Sequence, residues 1–141
     1  MSRSLPIAAP VERVFDHWTR LERLPEILTN VRRVKRIGDR RSLWDVDVAG
    51  RQIVWEAEEV ERIPHKTLRW VSTWGAEHRG CVGFTRLDDG GTRLDVEIEI
   101  RPRNLLERLG VWLGPVGSAL SEDLSRFARF VEAHDPDSDP G

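Results

Sequence analysis

Two side chains in this sequence have the types and positions to move protons. Glu59 follows Ile53, Trp55 and Ala57 at period two, so continued alternation aims it at the same face as those apolar residues. A lone carboxylate there is costly to ionise, and desolvation raises its pKa, which suits a general acid or base near neutrality. The alternative is a bulge around Glu58 and Glu59 that returns Val60 to the core and leaves Glu59 in water. His78 shares parity with Gly80, Val82 and Phe84, which puts it at the mouth of whatever that face encloses. An imidazole there suits enolisation or dehydration; the alternative is a turn histidine beside Glu77, hydrogen-bonded to backbone. Trp44, Trp55, Trp70 and Trp74 fall on the inner faces of three successive strands, with Ser72 as a hydroxyl among them and Phe84 as a further binding candidate. Rigid rings in that arrangement either make a flat, mostly apolar pocket for an aromatic or isoprenoid ligand or pack as ordinary core.

Other chemistries lack their residues. His17, His65, His78 and His134 show no metal-ligand spacing, so no metal site is expected, and no cofactor is implied. Cys81 is the single cysteine, which removes disulfides and cysteine-based zinc sites, and no base stands near it in the pattern. Asp89-Gly90-Gly91 joins two strands and is not a phosphate loop between a strand and a helix. The chain contains six tryptophans and no tyrosine, so a phenol is not available as an acid.

The 22 basic residues, twenty of them arginine, nearly balance 24 acidic ones, an unlikely charge for a protein built to grip a nucleic-acid backbone. Arg32 to Arg41 nevertheless holds six basic residues in ten, with Arg32, Arg33, Lys35 and Arg36 closely spaced. This segment is either a solvated strand face or a docking surface for an acidic carrier protein or an anionic membrane. No apolar run approaches the roughly 20 residues that span a bilayer. Met1 to Pro10 lacks the basic start and apolar stretch of a signal peptide, so a cytoplasmic protein is the expectation.

The elements that position these residues follow from periodicity. Ser4 to Ala8 reads as a short strand, with Pro6 acceptable at a sheet edge. Pro10 opens a helix carrying Val11, Val14, Phe15 and Trp18 on one face, and Leu21 to Leu28 form a second helical piece interrupted by Pro25. From Val31 the period falls to two. Leu43 to Val48, Gln52 to Arg62, Thr67 to Trp74, Arg79 to Leu87 and Thr92 to Arg101 alternate as strands, separated by turns at Ala49-Gly50 and Asp88 to Gly91. Pro102 stops the last strand, and a helical period runs from Arg103 through Leu120, Leu124, Phe127 and Val131. Gly110, Gly114, Pro115 and Gly117 predict a kink or break in its first part. One domain over residues 1–134 and a frayed tail at 135–141 are expected.

The segments Ala9-Pro10-Val11-Glu12-Arg13-Val14-Phe15, Trp55-Glu56-Ala57, Leu68-Arg69-Trp70, Gly80-Cys81-Val82-Gly83-Phe84 and Thr92-Arg93-Leu94 resemble, in this order, those of the polyketide cyclase/dehydrase family. Asp123-Leu124-Ser125-Arg126-Phe127 is similar too. That family belongs to the START-like, helix-grip (SRPBCC) superfamily, which also holds coenzyme Q-binding proteins. The resemblance implies an α+β fold: a curved antiparallel sheet of about seven strands wrapped around a long C-terminal helix, two short helices after the first strand, and an internal hydrophobic cavity. For function it implies a small hydrophobic ligand, either a polyketide chain cyclised by aldol chemistry and water loss with Glu59 or His78 moving protons, or a quinone or lipid that is carried. A ribosome- or RNA-associated regulator on the same fold is a weaker alternative resting on the basic segment. The sequence departs from the family pattern at Glu59, where the family places an aliphatic residue.

Overall fold

A computed structural model of the protein describes residues 1–100 and 113–134. The expectations for Pro102, Arg103, Gly110 and the tail at 135–141 lie outside the described residues. The elements are β1 (Ser2–Ile7), α1 (Val11–Thr19), a single 3₁₀ turn (Leu21–Arg23), the short α2 (Leu24–Ile27), six strands, and α3 (Leu113–Ala133). The strands are β2 (Val31–Arg36), β3 (Arg41–Val48), β4 (Arg51–Ile63), β5 (Thr67–Gly75), β6 (His78–Arg86) and β7 (Thr92–Ile100). They form one antiparallel seven-stranded sheet in the order β1-β7-β6-β5-β4-β3-β2. This is the helix-grip fold: a curled sheet on one side, α3 and the short helices on the other.

Each boundary has a local cause. β1 is an edge strand, so Pro6 sits where no second neighbour asks for its N–H. Ala49 and Gly50 both have positive φ (52° and 81°), the conformation of a two-residue turn whose twist matches its strands. At the β6–β7 turn Gly90 has φ 87°, and the Gly91 amide donates to Asp89 Oδ1 at 2.9 Å. Pro25 lies within the first two residues of α2, where its missing N–H costs nothing. In the same way Pro115 falls in the first turn of α3, and the helix runs from Leu113 to Ala133 without a break despite Gly114 and Gly117.

The core lies between the sheet and the helices. Val14, Leu24, Val82, Leu94, Phe127 and Val131 are essentially sealed from solvent. Phe15 meets Phe84 edge-on at 5.3 Å, and Trp18 meets Phe127 edge-on at 5.2 Å, which ties α1 to both the sheet and α3. Phe84 is therefore core beneath α1 and not a wall of the cavity described below, contrary to its expected binding role. Replacing Phe127 by Ala removes a fully buried ring at the joint of α1 and α3. The expected cost is about 3–5 kcal/mol, seen as a lower urea midpoint at an unchanged slope; a smaller shift would mean that the helix is not clamped by this contact.

Candidate functional site

The inner face of β3, β4 and β5 is built in rows by strand register. Val34, Trp44 and Trp55 are successive partners in one row, and Arg36, Ser42, Ala57 and Ser72 in the next. Glu59, Trp70 and Gly80 follow. Beneath α3 these rows enclose a cavity of about 580 Å³, lined on the sheet side by Trp44, Trp55, Trp70 and His78 and on the helix side by Leu120 and Asp123. The size lies within the range of small-molecule sites.

The aromatic wall is held by specific contacts. Trp44 and Trp55 are cross-strand partners with near-parallel rings, centroids 5.8 Å apart at 6°. The Trp44 indole N–H donates to Ser42 Oγ at 2.8 Å, whereas the Trp55 N–H is buried with no partner among the described residues. The edge of the His78 ring meets Trp55 at 4.7 Å. Trp70 lies over Gly80, where an added Cβ would fall 2.2 Å from the ring. Glycine at that position is therefore required by the indole, a signal that alternation does not carry.

His78 lines the cavity, but both of its nitrogens are taken. Nδ1 donates to the Ala76 carbonyl at 3.0 Å, and Nε2 accepts the Trp70 indole N–H at 3.2 Å. That pairing selects the neutral tautomer with its proton on Nδ1. Burial holds its pKa below the usual histidine range, and the Ala76 contact offsets this in part. The expected cavity-mouth histidine and the backbone-bonded turn histidine are thus the same residue.

Glu59 also lines the cavity, with a side chain 20% exposed, yet it is not isolated. Val60 is an extra residue in β4: Glu59 pairs with Trp70 and Glu61 with Arg69. This bulge turns Val60 outward, 50% exposed, and brings Arg62 to the same face as Glu59. Both carboxylate oxygens then accept from Arg62, at 2.5 Å from Nε and 3.0 Å from Nη2. The bulge returns no valine to the core, and the carboxylate is paired with an exposed arginine.

A second bulge moves other expected site residues. Glu56 pairs with Trp74 and Ala57 with Ser72, so Thr73 is extra in β5 and parity reverses beyond it. Trp74 consequently points outward, 60% exposed, and does not share the face of Trp70. Ser72 remains at inner parity, but its hydroxyl accepts the His78 amide at 2.9 Å, and it is not a lining residue. In β2 a register shift between Val31 and Arg33 makes Arg32 the extra residue. Arg33 and Lys35 face outward opposite Asp45 and Leu43, and Arg36 faces inward opposite Ser42. The expected docking run of Arg32, Arg33, Lys35 and Arg36 is therefore divided between faces.

The helix side contributes a residue that pattern reading did not single out. Asp123 on α3 is 6% exposed and accepts from Arg126 Nη1 at 2.8 Å and from the Asn30 amide at 3.4 Å. Burial raises its pKa, with Asn30 and Arg126 acting against that rise. Its place in the motif Asp123 to Phe127 was the available signal, since helical periodicity marks apolar positions and passes over a buried acid. Cys81 faces away from the cavity between Arg69 and Glu97, and burial raises its pKa. Among the described residues no group of three His, Cys, Asp or Glu is placed to hold a metal, and no helix is long and apolar enough to cross a membrane.

Sheet, grip helix and the cavity between them make a START-like, helix-grip fold. The chain belongs to the family described as polyketide cyclase/dehydrase and lipid transport, whose model matches residues 7–129. An uncharacterized 17.2 kDa protein of the melC2–rnhH intergenic region in Streptomyces lincolnensis is 32% identical over 133 residues, covering 94% of this chain and 89% of that one. Among solved structures, DR_A0006 from Deinococcus radiodurans aligns with a TM-score of 0.72 at 28% identity, covering 94% of this chain and 95% of that chain. The Zhui aromatase/cyclase from Streptomyces sp. R1128 aligns with a TM-score of 0.82 at 16% identity, over 94% and 92% of the two chains; that likeness is one of fold.

Two outcomes follow from this geometry. Gly80→Ala should push the Trp70 ring off its seat, break the Trp70–His78 bond and destabilise the fold by about 1–3 kcal/mol. The indole N–H resonance of Trp70 reports this directly, and an unmoved resonance would contradict the packing argument. The second concerns pH. His78 and His17 both have folded pKa values lowered chiefly by burial. The unfolded chain therefore takes up protons first as pH falls below about 6.5, and stability declines from there down to the folded values. Urea midpoints at about pH 7.5 and 5.5 should fall less for His78→Gln than for the parent; an equal fall would remove His78 from the effect.

Proposed function

We propose that this protein binds a small hydrophobic molecule, aromatic polyketide-like or isoprenoid, in the cavity under α3. The observation that carries the reading is the wall itself: stacked Trp44 and Trp55, with Trp70 and His78 beside them, around about 580 Å³ of space. Flat rings on an enclosed face favour planar or polyene ligands through area and stacking. Family membership supports a cyclase/dehydrase-like role, in which the wall orients a flexible chain for aldol closure and water loss. In that role His78 is the proton-moving group, and it acts when the ligand takes the place of the Trp70 N–H on Nε2. Glu59 acts through its pair with Arg62, as a polar point on the wall.

A second reading, a carrier for a quinone or lipid, is favoured by the same contacts. Both nitrogens of His78 and both oxygens of Glu59 are held by protein groups. A wall whose acids and bases are all occupied binds without reacting.

Native mass spectrometry of the purified protein, followed by organic extraction, separates the two readings. A retained quinone or lipid is the carrier result, and an empty protein that converts aromatic polyketide intermediates is the cyclase result. Both readings require that the neutral fluorescent probe N-phenyl-1-naphthylamine binds with a change in tryptophan emission. Trp44→Ala or Trp55→Ala should weaken it at least about tenfold. A protein that neither retains a hydrophobic molecule nor binds the probe does not have this function.

A further inference from the structure

The charge on the cavity wall is uneven. Of the lining charges, Glu59 is matched by Arg62, Asp123 by Arg126, Arg41 by Glu56 and Arg69 by Glu61, and Arg51 and Glu77 are engaged as well. Arg36 and Arg40 also line the cavity, and among the described residues neither has a carboxylate within ion-pair distance. Asp39, the acid of the same turn, contacts Arg36 through its backbone carbonyl, which accepts from Arg36 Nη1 at 3.3 Å. The Arg40 carbonyl accepts the Glu59 amide at 2.7 Å, which fixes the turn against the end of the aromatic wall.

Register places this positive end relative to the rings. Arg36 and Ser42 are partners in the row next to Val34, Trp44 and Trp55, two residues along the strands and so about 7 Å away. Ser42 is buried and lines the cavity, and its oxygen accepts the Trp44 indole N–H. Its own hydroxyl proton remains available to an acceptor. Two lining arginines and one hydroxyl donor at the end of an apolar trough match an oxyanion attached to an apolar body, since a guanidinium fork binds a carboxylate in two-point fashion.

We propose that Arg36, Arg40 and Ser42 form a carboxylate-binding end of the cavity, so that the ligand is an amphiphile with its apolar part on Trp44 and Trp55 and its acid at the β2–β3 turn. This rests on the cavity being the binding site. It explains why an inward arginine ends a strand whose other inward residues, Val31 and Val34, are buried and apolar.

The test uses the full chain with N-phenyl-1-naphthylamine bound, displaced by dodecanoate or by dodecan-1-ol. The acid is expected to displace the probe at least about tenfold more tightly than the alcohol at low salt, and the gap should shrink at high salt. Arg36→Gln with Arg40→Gln should abolish the gap and leave the alcohol unchanged; both side chains are exposed, so the fold is kept. Arg33→Gln with Lys35→Gln removes the same charge from the outer face of the same strand and should leave the gap intact. Equal affinity of acid and alcohol overturns the proposal, as does a gap that survives the first pair of substitutions or disappears with the second. If the probe and both displacers fail to bind, the cavity reading fails and takes this proposal with it.

Discussion

The geometry of the cavity depends on two extra residues in one ladder. Thr73 in β5 and Val60 in β4 each add a residue that has no cross-strand partner, and each reverses the face to which the following side chains point. Without the first, Trp74 would enter the cavity beside Trp70 and fill space now left for a ligand. Were Val60 paired in regular register, Arg62 would face outward and Glu59 would lose the guanidinium that holds both of its oxygens. The bulges also increase local twist, which curls the sheet around α3. Shape and charge of the site thus share one backbone cause.

The wall that results is polar in places yet largely closed to proton exchange. Trp70 occupies Nε2 of His78, Arg62 holds both oxygens of Glu59, and Arg126 with Asn30 holds Asp123. Such groups fix a ring or a helix more readily than they react. A reaction at this site has to draw chiefly on enclosure and orientation, with one occupied imidazole as its nearest proton carrier. This makes the distinction between a cyclase and a carrier narrow in structural terms. The same apolar trough serves both, and the difference lies in whether a bound molecule can compete with the Trp70 N–H.

Much of the fold is legible from pattern alone. The period-two runs of Leu43 to Val48 and Thr92 to Ile100 are strands with the expected faces, and the turns at Ala49-Gly50 and Asp88 to Gly91 carry the residues their conformations demand. The site is legible only up to the first bulge. Trp44, Trp55 and Trp70 precede the parity reversals along their strands or lie between them, and they share the cavity-lining face that alternation gives them. Trp74 lies beyond Thr73, and no composition signal marks a threonine as a bulge. The Glu59–Arg62 pair is hidden for the same reason, because residues three apart in a regular strand face opposite ways. Phe84 escapes pattern reading by a different route. Its parity is inward, but inward at that level of β6 means the core under Phe15 and not the cavity, a distinction of depth that a one-dimensional period does not contain.

The basic run of β2 has a physical reason that needs no macromolecular partner. β2 is an edge strand of the sheet, with one side of its backbone groups unpaired by the ladder. Such an edge templates association unless it is protected, and outward cations together with a bulge are an effective protection. Arg33 and Lys35 supply the charge and Arg32 the bulge. Arg36 does not fit this account, because it faces inward, where it cannot repel a second sheet at the outer face. Its side chain is exposed yet lies on the cavity side of the strand, where it returns nothing to edge protection. The arginines of one short strand therefore divide by parity into those that guard the sheet and one whose charge is directed at the cavity.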